Sequence, residues 1–216
     1  MDVDIIVDTI CPWCYVGKRR FEKALAMRAA TDIRIGWRPF QLNPDMPSEG
    51  VDRKTYLTRK FGGMDRAAQR YEQLAQLGAS EGIDFQFGRM ERTPNTVNSH
   101  RLIRYAGRFG AQTSAIGAVF HAYFTDGRDI GDIETLADIG AAEGLERAAL
   151  AKYLRSRADA DAVIADDEAA RGLGINGVPC YIIAGRYAVS GAQSPEIFVQ
   201  ILDLVQQDRA TEAAAR

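Results

Sequence analysis

Two cysteines three residues apart, Cys11-Pro12-Trp13-Cys14, stand where the chain passes from a strand pattern to a helix pattern, and their position there constrains the fold more than any other feature. Upstream, Val3, Ile5 and Val7 alternate while Ile6 is apolar on the opposite face, as in a short strand buried on both sides. Downstream, Pro12 suits a first helical turn because it has no N–H to lose, and Val16, Phe21, Leu25 and Met27 recur at roughly helical spacing to Arg28. A helix N-terminus offers unpaired N–H groups and the positive end of a dipole, which favour negative charge on the first sulfur. The second sulfur, three residues on, can close a small disulfide ring with it. The first cysteine is expected to be exposed at the junction and the second tucked into the first turn.

The same spacing occurs in zinc and iron–sulfur sites, but these need four ligands. Besides the pair the chain offers only Cys180, His100 and His121, with no second C-x-x-C, so dithiol chemistry is expected and a metal site is not. Three cysteines in 216 residues do not make a disulfide scaffold. Cys180, at the start of an apolar strand, reads as a small buried hydrophobe.

Ile33, Ile35 and Trp37 alternate in a second strand that ends where Pro39, Pro44 and Pro47 make extension awkward. From about 52 to 172 no strand alternation appears, and an all-helical block is expected: 53–82 broken at Gly62-Gly63, 95–109, a helix capped by Asp132 and running to Gly144, a turn or two over 149–155, and 159–172. Val178–Ile183 and Tyr187–Ser190 then read as a hairpin, and Ser194-Pro195 opens a last amphipathic helix carrying Ile197, Ile201, Leu204 and Val205. Residues 210–216 have no apolar face and are expected to fray. The order is β-α-β, a helical block, then α-β-β-α.

Composition narrows the function classes. With 46% hydrophobic and 26% charged residues the chain can bury a core. A net charge of −2 gives no cationic surplus to bind nucleic acid. The apolar runs fall far short of the roughly 20 residues that cross a bilayer, and Met-Asp-Val-Asp has no signal-peptide character. A cytoplasmic protein is expected, although a mature secreted form behind an added Met would read the same.

Several motifs together resemble one family. Cys11-Pro12-Trp13-Cys14-Tyr15 after an N-terminal strand, Gly177-Val178-Pro179 before a strand, and Ser190-Gly191-Ala192-Gln193 before the last helix are similar to the DsbA family of thiol oxidoreductases. Pro94-Asn95-Thr96 followed by His100-Arg101-Leu102 resembles its FrnE-like members, and the likeness spans about 1–207. It implies an α/β, thioredoxin-like fold with a large all-helical insertion: residues 1–47 and 161–207 forming the thioredoxin-like part, 48–160 the insertion. It also implies a cis Val178-Pro179 bond beside Cys11, where the Val178 backbone could pair with an extended substrate. From the residues alone, Pro179 is only a proline at a strand start.

The resemblance implies a thiol–disulfide oxidoreductase with Cys11 as nucleophile and Cys14 resolving, acting on a thiol or disulfide that is a small molecule or an extended peptide, with no tightly bound cofactor. Pro12, Trp13, Val178, Pro179, Asn95 and His100 are the expected substrate-side residues, Trp13 as an exposed apolar platform. Asn95 and His100 are expected to bring the helical block over the Cys11 cleft as a lid, and a homodimer is compatible with the reading. Lys18-Arg19-Arg20 reads as a solvated face. Kappa-class glutathione transferases and 2-hydroxychromene-2-carboxylate isomerases share the fold and carry Ser where Cys11 stands. The alternative is therefore a glutathione-dependent isomerase or transferase acting on a small aromatic substrate, with glutathione as co-substrate. Pro-Trp between the cysteines, instead of the Pro-His of periplasmic members, leaves the redox potential open.

Overall fold

The apolar alternation of the first residues becomes the central strand of a sheet. The computed structural model describes residues 1–28 and 32–214. β1 (Asp2–Val7) leads through a tight turn, closed by the Cys11 N–H donating to the Asp8 carbonyl at 3.0 Å, into α1 (Pro12–Ala26). β2 (Arg34–Pro39) lies parallel to β1, with Val3 opposite Ile35 and Ile5 opposite Trp37. There follow β3 (Val51–Asp52), α2 (Arg53–Phe61), α3 (Met64–Ser80), a 3-10 turn (Phe87–Arg89), β4 (Arg92–Thr93), α4 (Val97–Gly107), α5 (Gln112–Phe124), α6 (Ile133–Ala142), α7 (Arg147–Arg155) and α8 (Ala160–Gly172). The chain returns through β5 (Cys180–Ile183) and β6 (Tyr187–Ser190) and ends in α9 (Pro195–Ala214). The sheet order is β2-β1-β5-β6, with β5 antiparallel to both of its neighbours.

The sheet is covered on both faces. Val3, Ile5 and Val7 pack with Val16 and Phe21 of α1 and Phe198, Leu202 and Val205 of α9, whereas Ile6 faces Phe40, Ala170, Ile175 and Cys180 on the other side. Cys180, opposite Ile6 in the sheet, is the small buried hydrophobe expected of it. The larger core runs without a break into the inserted helices. Tyr15 of α1 stacks on Phe120 of α5 at 5.3 Å and meets Phe85 edge-on at 6.0 Å.

Three expectations need correction. The block between β2 and β5 is not all helix: β3 and β4 pair, Val51 opposite Thr93, in a two-residue ladder too short to show alternation. α5 escapes periodicity because Ala115, Ile116, Val119, Phe120, Ala122, Tyr123 and Phe124 are all buried, which leaves little polar face to set a phase. The tail expected to fray continues α9 through Ala214, an alanine-rich stretch with strong helix propensity whose Glu212 pairs with Arg186. Residues 215–216 lie outside the described residues.

Lys18-Arg19-Arg20 is not simply solvated either. Lys18 is buried and pairs with Glu22, and Arg20 donates to the Glu81 carboxylate at 2.6 Å and to the Ala192 carbonyl at 2.8 Å. α1 is thereby tied both to the end of α3 and to the loop before α9.

Candidate active site

Cys11 is the N-cap of α1 and Pro12 its first residue. The Val178-Pro179 peptide bond is cis, and the Val178 carbonyl lies 3.6 Å from the Cys11 sulfur, within range of a bond from its S–H. Gly17 makes this approach possible, since a Cβ there would come within 2.9 Å of Pro179 Cγ and 2.5 Å of the Tyr181 hydroxyl oxygen. Cys11 was expected to be exposed, but only 4% of it is accessible, because the Val178 carbonyl and the wall of a cleft cover it.

That cleft, about 590 Å³, is lined by Cys11, Pro12, Trp13 and Val178 on one side. Leu42, Arg53, Tyr56, Lys60, Phe61 and Tyr71 are among the residues opposite. Trp13 is 47% exposed at its edge. Cys14 is fully buried and does not line the cleft. Burial holds its thiol well above the usual range, and the adjacent Cys11 sulfur acts in the same direction. Neither sulfur is bonded to another.

Asp8 organises the turn beneath the pair. Fully buried, its carboxylate accepts the Leu42 N–H at 2.7 Å and the Ile10 N–H at 3.5 Å, and it lies 3.5 Å from His100 Nε2. His100 Nε2 also lies 3.2 Å from the Phe40 carbonyl, and Thr9 and Ser99 hydroxyls meet at 2.7 Å. These contacts dock the start of α4 behind the strand-to-helix turn.

The sequence-derived residues therefore divide. Cys11, Pro12, Trp13 and Val178 share one cleft, with Pro179 alongside. His100 belongs to the packing behind the turn and lines a separate hollow with Trp37, Arg38 and Ile103, because its ring is held between Asp8 and Phe40. Asn95 does not line the cleft either: its amide donates to the Met46 carbonyl at 2.7 Å and its oxygen accepts the Val97 N–H at 2.9 Å, bracing a loop against α4. Arg101, from the same motif, donates to the carbonyls of Tyr153, Leu154, Ser156 and Ala158 and so caps the end of α7. The insertion does wall the cleft, but through α2 and α3. The sequence carries a signal for this in the basic and aromatic residues of 53–61 and 70–71, which no local motif marks.

A family model described as DSBA-like thioredoxin domain matches residues 2–203. The chain belongs to that family. Among solved structures, a probable DsbA oxidoreductase, SCO1869 from Streptomyces coelicolor, is 35% identical, superposes with a TM-score of 0.87, and is matched over 96% of this chain and 90% of its own. The cytosolic disulfide reductase DsbM from Pseudomonas aeruginosa, solved with GSH, is 18% identical with a TM-score of 0.71 over 96% of this chain and 100% of its own. A 2-hydroxychromene-2-carboxylate isomerase is 16% identical with a TM-score of 0.70 over 100% and 98%. The last two likenesses show the fold: α/β and thioredoxin-like, with inserted helices between β2 and β5. Among the described residues no cluster of His, Cys, Asp or Glu could hold a metal ion, and no helix is long and apolar enough to cross a membrane.

Proposed function

We propose that this DsbA-like protein is a thiol–disulfide oxidoreductase in which Cys11 exchanges with substrate and Cys14 resolves. The observation that carries the proposal is the asymmetry of the pair: Cys11 lines the cleft, and Cys14 lies fully buried behind it with its thiol pushed up. In the reducing direction the Cys11 thiolate attacks one sulfur of R–S–S–R′, forming Cys11–S–S–R and releasing R′–S⁻. Cys14 then gives up its proton and attacks the Cys11 sulfur. The Cys11–Cys14 disulfide forms, R–S⁻ leaves, and two electrons have passed to the substrate. The reverse sequence oxidises a dithiol. The FrnE-like motifs and the cytosolic DsbM relative support a FrnE-like assignment and a cytoplasmic setting, and the GSH held by that relative makes glutathione the natural small co-substrate. Cys14→Ser should accumulate mixed disulfides on Cys11, read by mass spectrometry after exposure to oxidised glutathione. If Cys11→Ser accumulates them on Cys14 instead, the roles are reversed.

A second reading is favoured by the isomerase likeness and by the aromatic wall of the cleft: glutathione-dependent isomerisation of a small aromatic substrate. It requires product from an aromatic substrate only when glutathione is present, and activity that survives Cys14→Ser. Loss of turnover in Cys14→Ser excludes it.

A further inference from the structure

The wall of the cleft opposite Cys11 contains a cation without a counter-ion. Arg53 opens α2, is 8% exposed, and lines the cleft. Its guanidinium donates to three hydroxyls: Thr93 at 3.3 Å, Tyr123 at 3.2 Å and Tyr71 at 3.0 Å. Burial raises the pKa of both tyrosines above the ordinary value, so at neutral pH these partners carry no charge. Arg53 Nε is buried with no acceptor. Among the described residues no carboxylate lies within ion-pair distance of Arg53, and no acidic side chain lines the cleft. A buried guanidinium is costly to desolvate unless an anion answers it.

Two further cations belong to the same cleft. Lys60 donates to the Tyr56 hydroxyl at 2.9 Å, and Arg70 sits 5.9 Å from the centre of the Phe61 ring. Phe61 and Tyr71, edge to face at 5.8 Å, continue with Leu74 and Leu77 into an apolar slot. The slot is polar at the cation and greasy along its length.

We infer that the cleft is a binding site for a small carboxylate with an apolar or aromatic body, the carboxylate on Arg53 and the body along Phe61, Tyr71, Leu74 and Leu77 toward Cys11. This rests on the oxidoreductase reading only in naming Cys11 as the atom that a bound thiol or disulfide would meet. Arg53 is then the residue that selects for acidic substrates. A carboxylate can replace the missing counter-charge, whereas an alcohol of the same shape cannot.

The test is equilibrium binding of unreactive probes, 4-phenylbutyrate against 4-phenylbutanol, to the reduced full-length protein, followed by the fluorescence of Trp13 at the cleft edge. The acid should bind at least about tenfold more tightly (about 1.4 kcal/mol). The preference should vanish in Arg53→Met and shrink in Lys60→Gln. If Arg53→Met fails to fold, the Arg53 Nε–H resonance of the wild-type protein serves instead and should move on titration with the acid but not with the alcohol. Equal affinity for the two probes, a preference that persists in Arg53→Met, or an unmoved resonance overturns the inference. Acid-selective binding without mixed-disulfide trapping would sink the oxidoreductase reading alone, and trapping without acid selectivity would sink this one alone.

Discussion

Replacing Gly17 with alanine tests how closely α1 is seated on the cis-proline loop. The new Cβ would lie 2.5 Å from the Tyr181 hydroxyl oxygen, 2.9 Å from Pro179 Cγ and 3.5 Å from Ala192 Cβ. The first two are well inside van der Waals contact, and neither neighbour gives way easily. Tyr181 is fully buried, 5.3 Å from the Phe21 ring and 4.6 Å from the Phe198 ring, and Pro179 is held by its carbonyl, which accepts the Gly191 N–H at 2.8 Å. Overpacking of this kind costs about 1–3 kcal/mol. Alanine recovers up to about 1 kcal/mol over glycine in a helix interior, so with both neighbours rigid a net loss of about 1–2 kcal/mol is expected.

Tyr181→Phe separates the terms, since it removes the nearer obstacle and also a buried hydroxyl that has no hydrogen-bond partner. Alone it should be neutral or stabilising by up to about 1 kcal/mol. In its background Gly17→Ala should cost about half as much as in the wild type, the Pro179 contact remaining. Urea unfolding of the four chains gives the stabilities. Iodoacetamide labelling of Cys11 reports whether α1 has shifted against Val178, and Gly17→Ala should label faster. If Gly17→Ala is stabilising, or its cost is the same with and without the Tyr181 hydroxyl, the close-approach argument is wrong.

Glu81→Gln should destabilise by about 1–3 kcal/mol at neutral pH. Burial alone would raise the Glu81 carboxyl, but hydrogen bonds from Lys23 and Arg20 outweigh it and hold the pKa below the usual value. The wild-type advantage should therefore be complete above the unfolded glutamate pKa, about 4.3, and fade as pH falls through the lower folded value; an advantage unchanged at pH 3 refutes the pairing. His100→Ala should lower stability by about 1–3 kcal/mol by stripping the buried Phe40 carbonyl of its side-chain partner, while the pH profile of Cys11 alkylation stays in place; a displaced profile would return His100 to the active site. Small disulfides should be turned over faster than the disulfides of a folded globular protein, because α2 and α3 restrict entry to the cleft; equal rates would remove these helices from any gating role.

The cysteine end of this site was legible because its signals are local. A strand, a turn, Pro at the first helical position and cysteines three apart specify the Cys11–Cys14 geometry within a dozen residues, and Val178-Pro179 is tied to it by a recognisable motif. The cleft wall was not legible in the same way. Arg53 precedes Tyr71 by 18 residues and Tyr123 by 70, yet the three share hydrogen bonds, and no periodicity encodes a meeting of that kind. His100 shows the converse. Its motif drew attention to the start of α4, but a motif does not distinguish a side chain that faces the cleft from one that braces the turn beneath it. That distinction lies in the 3.5 Å approach to Asp8, a residue unremarkable in the sequence.

This division of sources bears on how such a protein can change substrate. The Cys11 sulfur and the Val178 carbonyl come from the sheet-forming part of the chain, where Gly17, Pro179 and Tyr181 leave little room for variation. Arg53, Tyr56, Lys60, Phe61 and Tyr71 come from helices whose lengths and loops the sheet does not dictate. On the oxidoreductase reading, exchanging residues on α2 and α3 should alter which molecules reach Cys11 without altering how Cys11 and Cys14 exchange. One coupling between the two parts runs through Tyr15, one residue after Cys14, which stacks on Phe120 at 5.3 Å and on Phe124 at 6.2 Å. Tyr15→Ala should therefore cost about 3–5 kcal/mol, as truncation of a large buried aromatic does, and should loosen the cleft wall and the helix carrying the cysteines together. Hydrogen exchange would show protection falling in both α1 and α5. Loss confined to α1 would mean that the insertion is held by other contacts and that the two parts can move independently.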